Sequence, residues 1–157
     1  MKRNPITRNG YDALKDELKH LKKVERPAII HAIEVARDHG DLSENAEYSS
    51  AKEKQSFIET RIQGLETKIA TAEIIDTSRL PKDRIVFGST FVLCNVDTQE
   101  EITYRIIGAD ESDLGKGEIS IDSPIARALI GKRLDDEVVV TTPKGKRTYE
   151  VLDISTD

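Results

Sequence analysis

Two carboxylates three residues apart, Asp41 and Glu44, stand in the segment Gly40-Asp41-Leu42-Ser43-Glu44-Asn45-Ala46-Glu47-Tyr48. At an exposed turn, side chains at i and i+3 can converge on one hard cation. Mg²⁺ is such a cation, usually held by one or two carboxylates together with substrate phosphates. A metal beside a phosphodiester orients and deprotonates an attacking water. Two side chains on an open turn do not hold Mg²⁺ firmly unaided, so they would complete a site whose other ligands belong to a partner. A second reading is purely local. Asp41 would cap the following helix and Glu44 would serve as its capping-box partner, a stabilisation on the order of 1 kcal/mol. The two readings are compatible, and the residue pattern leaves both open. Glu47, one turn into the helix, reads as a solvated acid.

The elements that must position this pair are two heptad patterns running away from it in opposite directions. Upstream the seam is Leu14, Leu18, Leu21, Ala28, Ala32 and Val35, with Glu25 as its one charged interruption. Downstream it is Ala51, Gln55, Ile58, Ile62, Leu65, Ile69 and Ala72. Steps of three and four alternate on both sides, the period of a coiled-coil seam. Positions paired outward from the centre add to a nearly constant value whose half falls near Ser43, as an antiparallel hairpin requires. Gly40 is placed to end the first helix. The arm from Leu14 to the turn spans about 29 residues, or roughly 44 Å at 1.5 Å per helical residue. Thr7 or Asn9 can cap the first helix, whose pattern begins near Tyr11. Pro27 lies inside that helix and predicts a bend beside Glu25.

Composition narrows the function classes. Charged residues make up 34 % of the 157-residue chain and aromatics 4 %, with no Trp. That suits a solvated coiled coil and leaves few anchors for base stacking, which argues against sequence-specific binding of free nucleic acid. The net charge is −5. Residues 1–80 carry 14 basic and 14 acidic side chains, the remainder 10 and 15, so the acidic excess lies in the second half. That half is repelled by free nucleic acid and suited to a protein surface. A single cysteine, Cys94, excludes a disulfide framework, and no long apolar stretch marks a membrane segment or leader. The expectation is a soluble cytoplasmic protein with no membrane partner.

The organisation read from these patterns is α+β: an antiparallel helical hairpin over residues 1–76, a linker at 77–82 and a small antiparallel β domain with one short helix at 83–157. In the third part the period falls to two, with β-branched runs at 90–96, 101–107, 118–121, 137–142 and 147–154. Residues 84–87 are a possible further strand. Residues 97–100 and 143–146 read as turns. Ser123, Pro124 and Gly131 are the cap, first position and stop of the short helix.

Arg37 and Lys52 flank the turn at facing positions of the arm and are able to grip a phosphate backbone, although a coiled coil exposes many such cations. His20, His31 and His39 lack a common metal spacing and read as surface residues; Cys94 reads as a small packed hydrophobe. No Ser/His/Asp pattern, Gly-rich phosphate loop or paired CxxC is present.

The run Ala36-Arg37-Asp38-His39-Gly40-Asp41-Leu42-Ser43-Glu44-Asn45-Ala46-Glu47-Tyr48 resembles the tip of bacterial transcript cleavage factors of the Gre type. The resemblance continues through Arg26-Pro27-Ala28-Ile29-Ile30, Arg61-Ile62, Gly88-Ser89, the segment from Ser123 to Lys132, and Pro143-Lys144-Gly145, and so covers nearly the whole chain. It implies an FKBP-like C-terminal domain docked on RNA polymerase through a region that includes Ser123 and Pro124, with the hairpin entering the polymerase secondary channel. Asp41 and Glu44 would help hold an Mg²⁺ shared with the polymerase and position a water, so that the backtracked nascent RNA is cut near its 3′ end. Arg37 and Lys52 match the family's basic patch near that RNA. One departure is Asp135, where the family usually carries glycine, so a different turn is expected there.

Two other classes are compatible with the same architecture. A prolyl isomerase would need an aromatic pocket, and the second half offers only Phe87, Phe91, Tyr104 and Tyr149. An inhibitor that merely occupies the channel would not need both tip carboxylates.

Overall fold

The computed structural model describes residues 3–40 and 44–155. Two compact units result: the first comprises the described residues of Tyr11–Ala72, and the second joins Arg3–Gly10 to the described residues from Glu73 onward.

The first unit is a helical hairpin. Helix α1 (Arg8–His20) passes through one π-helical turn, Leu21–Glu25, into α2 (Arg26–Asp38), and the returning arm is α3 (Ala46–Thr71). The bend expected near Glu25 takes the form of that π turn, in which the Arg26 N–H donates to the Leu21 carbonyl five residues back. Pro27 then follows the π turn directly, at the start of α2.

The π turn corrects the seam read from the heptads. Below it Leu14 is buried and Leu18 and Leu21 are half-buried, as expected. Above it the buried residues are Ile29, Ile33 and Ala36, while Ala28 and Ala32 are exposed and Val35 is 40 % exposed. The whole upper seam is displaced by one residue. A π turn accommodates one extra residue, so every later side chain advances by one position around the helix. The arm facing it has no such insertion: Ala51, Ile58, Ile62 and Leu65 are buried in the expected places. Burial of each of the large aliphatic residues contributes about 1.5–3 kcal/mol. Ion pairs rivet the arms, among them Arg26 to Glu59 (2.8 and 2.8 Å), Arg61 to Glu17 (2.6 and 2.7 Å) and the looser Lys22 to Glu66 (3.7 Å).

The second unit contains a two-stranded sheet of β1 (Asn4–Ile6) and β2 (Ala72–Ile74), and a five-stranded sheet. The latter is built from β3 (Thr90–Asn95), β4 (Glu101–Ile107), β5 (Glu118–Ser120), β6 (Glu137–Thr142) and β7 (Gly145–Ser155), in the order β5-β4-β3-β7-β6. Its short helix α4 (Pro124–Leu129) starts and stops near the residues the sequence nominates. Ile85, Phe91, Leu93, Ile106, Leu129 and Val151 form the centre of the core.

Two expectations for this unit are corrected. The sheet is mixed, because β5 runs parallel to β4, with Ile106 opposite Ile119. The connection between those strands is long enough, and carries a 3-10 turn at Leu114–Lys116, to return the chain to the same end of the sheet. Residues 84–87 form no strand; instead Ile85 exchanges single backbone hydrogen bonds with Gly131 and Lys132.

Residues 3–10 are tied into this unit by Glu111. Its carboxylate accepts from the Thr7 N–H (2.8 Å), the Thr7 hydroxyl and the Gly108 N–H (3.0 Å), while Thr7 Oγ1 caps α1 by accepting from Gly10. A side chain at Gly108 would meet the Pro5 carbonyl oxygen at 2.6 Å, so only glycine allows this approach. Asp135 adopts φ +68°, the left-handed region that glycine favours, and its N–H donates to the Val151 carbonyl at 2.8 Å. The turn at the departure from the family pattern is therefore left-handed even without glycine.

Candidate functional site at the hairpin tip

Helix α2 closes as expected at Gly40, whose φ of +128° is open to glycine and strained for other residues. The His39 N–H still reaches back to the Ala36 carbonyl at 3.2 Å. Asp41, with Leu42 and Ser43, lies outside the described residues, so the expected convergence of Asp41 and Glu44 is not part of the described geometry.

Glu44 is exposed and stands one residue before the N-cap of α3. The cap is Asn45, whose Oδ1 accepts from the Tyr48 N–H at 3.0 Å. The capping reading of the sequence thus named the wrong residue for the cap, and Glu44 precedes the helix instead of forming part of its first turn. Glu44 lines an open cavity of about 440 Å³ with His39, Asn45, Ala46 and Glu47.

Among the described residues, side chains bind the end of α2 to the first turn of α3. Asn45 Nδ2 donates to the Ala36 carbonyl at 2.6 Å; His39 Nδ1 lies 3.0 Å from Glu47 Oε2; and the Arg37 guanidinium stands over the Tyr48 ring, 5.9 Å from its centroid. Sequence reasoning passed over Asn45 and Tyr48. The signal for Asn45 was present in its type, since Asn is a preferred N-cap. Glu47, read as a solvated acid, is exposed but has this imidazole partner.

Arg37 and Lys52 are brought to one place. Both line a smaller cavity of about 170 Å³ whose other walls are Ile30, Ile33, Glu34 and Gln55, and Lys52 Nζ donates to Gln55 Oε1 at 3.3 Å. The lining thus sets two cations beside two isoleucines and one acid, Glu34. The three histidines are exposed, as expected, and His20 lies 3.3 Å from Glu25. In the second unit Ser123 caps α4, accepting from the Ala126 N–H at 3.2 Å and donating to the Ser120 carbonyl at 2.7 Å, while Pro124 is exposed at the first position of that helix. Cys94 is half-buried on β3. Among the described residues, no three His, Cys, Asp or Glu side chains form a group able to hold a metal ion. No helix among them is long and apolar enough to cross a membrane.

Along the arm, ion pairing shifts ionisation. The hydrogen bond from Arg61 holds the Glu17 carboxyl below its usual value, and that from Arg26 does the same for Glu59, while Glu59 in turn raises Arg26.

Comparison with known proteins decides the family. The model described as "Transcription elongation factor, N-terminal" matches residues 4–74, and "Transcription elongation factor, GreA/GreB, C-term" matches residues 80–156. The chain belongs to the GreA/GreB family. A "Transcription elongation factor GreA" from Hyphomonas neptunium is 56 % identical over 154 residues, covering 98 % of each chain. Another GreA/GreB protein, from Legionella pneumophila strain Corby, is 54 % identical over 155 residues, covering 98 % of this chain and 97 % of its own. Among solved structures, GreA factor homolog 1 (Gfh1) of Thermus thermophilus is 24 % identical, covering 98 % of this chain and 99 % of that one, with a TM-score of 0.46. GreA/GreB membership makes this chain a transcription elongation factor by family.

Proposed function

We propose that this chain binds RNA polymerase and stimulates the polymerase's own Mg²⁺-dependent cleavage of backtracked nascent RNA, restoring an extendable 3′ end. One observation carries the reading: Glu44 is presented at the tip end of a riveted two-helix arm, outside the helix cap, as an exposed residue. In this reading the second unit, FKBP-like in fold, docks on the polymerase through the region of Ser123 and Pro124, and the arm reaches the active centre from the secondary channel.

The donor chemistry at the tip fits Mg²⁺ as a shared ion. Glu44 offers hard carboxylate oxygens, Asp41 would add others, and the described residues hold no complete cage of their own. Mg²⁺ bound there would acidify a coordinated water and offset charge on the phosphodiester. Glu44 and Asp41 orient that water by accepting its hydrogen bonds. The water oxygen forms a bond to phosphorus and gives up a proton to solvent as the P–O3′ bond breaks; the 3′ oxygen leaves with the transcript and takes up a proton from solvent, and the phosphate stays on the released fragment. Arg37 and Lys52, over their common cavity, hold the phosphate backbone of the extruded RNA in register. The chain is then an accessory rather than a nuclease, and its work lies in the cytoplasm.

A stalled, backtracked elongation complex tests this. Purified chain alone should leave RNA intact, and adding it to the complex with Mg²⁺ should release a short RNA fragment. Glu44→Ala and Asp41→Ala should each abolish the release while still binding polymerase; full activity in both variants would overturn the mechanism. A channel-blocking inhibitor would slow nucleotide addition and leave cleavage unchanged.

A further inference from the structure

We infer that Asn45 is a positioning residue for Glu44, clamping the two helix ends together so that the carboxylate leaves the arm at one fixed point. This rests on the reading of the tip given above and names the residue that holds it in place.

The amide of Asn45 does two jobs at once. Its Oδ1 takes the Tyr48 N–H and closes the start of α3, while its Nδ2 crosses to the other arm and donates to the Ala36 carbonyl. The orientation of the amide is decided by its partners: reversing it would set oxygen against a carbonyl and nitrogen against an N–H. Ala36 is the last buried residue of the α2 seam, 2 % exposed, and so is itself anchored in the packed interior of the hairpin.

Capping alone does not call for this side chain. Asp and Ser cap a helix about as well as Asn. An ionised Asp has no donor, and a Ser hydroxyl has one short arm that does not span both groups. Asn is the short residue that carries an acceptor for one helix and a donor for the other. Glu44 is joined to Asn45 by a single peptide bond, so the clamp sets where its backbone emerges. The neighbouring pairs, His39 with Glu47 and Arg37 with Tyr48, join side chains and leave the backbone free.

The test compares full-length wild type, Asn45→Asp, Asn45→Ser and Glu44→Ala on the stalled elongation complex, with melting temperature measured for each. Asn45→Asp and Asn45→Ser keep the cap and lose the cross-link. The expected result is a melting temperature close to wild type and a half-saturating factor concentration within about twofold. The saturating cleavage rate should fall about tenfold or more, because small misplacements of a catalytic group are costly. A higher Mg²⁺ concentration should be needed for half-maximal rate in both, which a loss of folding alone would not produce. Wild-type rate and Mg²⁺ dependence in both variants would overturn the inference, as would a rate loss fully recovered by adding more factor. If Glu44→Ala cleaves like wild type, the reading of the tip itself fails; if it is inactive while both Asn45 variants are active, only the role of Asn45 fails.

Discussion

Arg26 and Glu59 face each other across the hairpin in a bidentate pair, Nε to Oε1 and Nη2 to Oε2, both at 2.8 Å. Arg26 is the first residue after the π turn, so this pair holds the point at which the seam changes phase. Two parallel N–H···O bonds fix orientation as well as distance. The arm is thereby pinned where the backbone is least regular.

The pair predicts how the hairpin responds to acid. Arg26 holds the Glu59 carboxyl below its usual 4.5 in the folded chain, and Arg61 does the same for Glu17. A depressed folded value means that the stabilisation is fully present above about pH 4.5 and is lost as pH falls through the lower, folded value. Helix melting followed by circular dichroism from pH 6 to pH 3 should show a falling melting temperature below that point. In Glu59→Gln combined with Glu17→Gln the fall should be shallower; an unchanged slope would remove these pairs from the account. Both pairs are largely exposed, so the effect is modest and weakens with salt.

The displaced seam separates two substitutions that the heptad pattern ranks the other way round. Ile33→Ala removes a buried side chain and should cost about 2–4 kcal/mol. Val35→Ala touches a residue 40 % exposed and should stay within about 0.5 kcal/mol. Urea titrations of the two variants decide which residue faces α3.

Deleting Lys23 probes the π turn directly. With one residue fewer between Leu21 and Ile29, the first arm can run as an unbroken α-helix while keeping Ile29, Ile33 and Ala36 on the seam. The variant should keep the seam but lose thermal stability, because Pro27 then lies inside a regular α-helix, where its ring crowds the carbonyl four residues back at a cost of about 3 kcal/mol. Unfolding of the hairpin would mean that the turn is required for more than register.

Replacing Arg37 and Lys52 together should weaken the response of a backtracked complex chiefly through affinity. On a single strand, every phosphate that a cation no longer neutralises lowers the slope of log affinity against log salt by about 0.7. Cleavage titrations at several salt concentrations should therefore show a slope reduced by up to about 1.4 in the double alanine variant. An identical slope would mean that neither cation meets RNA.

Asp135 sits in the left-handed region at φ +68°, a conformation that costs a non-glycine residue energy. Asp135→Gly should stabilise the second unit by about 0.5 kcal/mol, the gain being partly offset by a more flexible unfolded chain. In contrast, Glu111→Gln should destabilise the same unit by about 2 kcal/mol, because charge-assisted bonds to Thr7 and Gly108 become neutral ones or disappear. Chemical denaturation of both variants measures the two signs.

What the amino-acid sequence determined by itself was whatever local chemistry decides. The glycine at the end of α2, the Ser-Pro start of α4 and the uninterrupted heptads of α3 are each set within a few residues of themselves, and the hairpin and the place of its turn follow from them. Tertiary structure decided the rest. Beyond Pro27 the first arm carries two apolar stripes one residue apart, Ala28-Ala32-Val35 and Ile29-Ile33-Ala36, and only the packed face of α3 selects the larger side chains and with them the π turn. The parallel strand β5 and the Glu111 tie to Thr7 join segments whose pairing leaves no mark on either one alone. Asn45 is the same case at the tip: a cap is a local fact, whereas a hydrogen bond to Ala36 exists only once the two helices stand side by side.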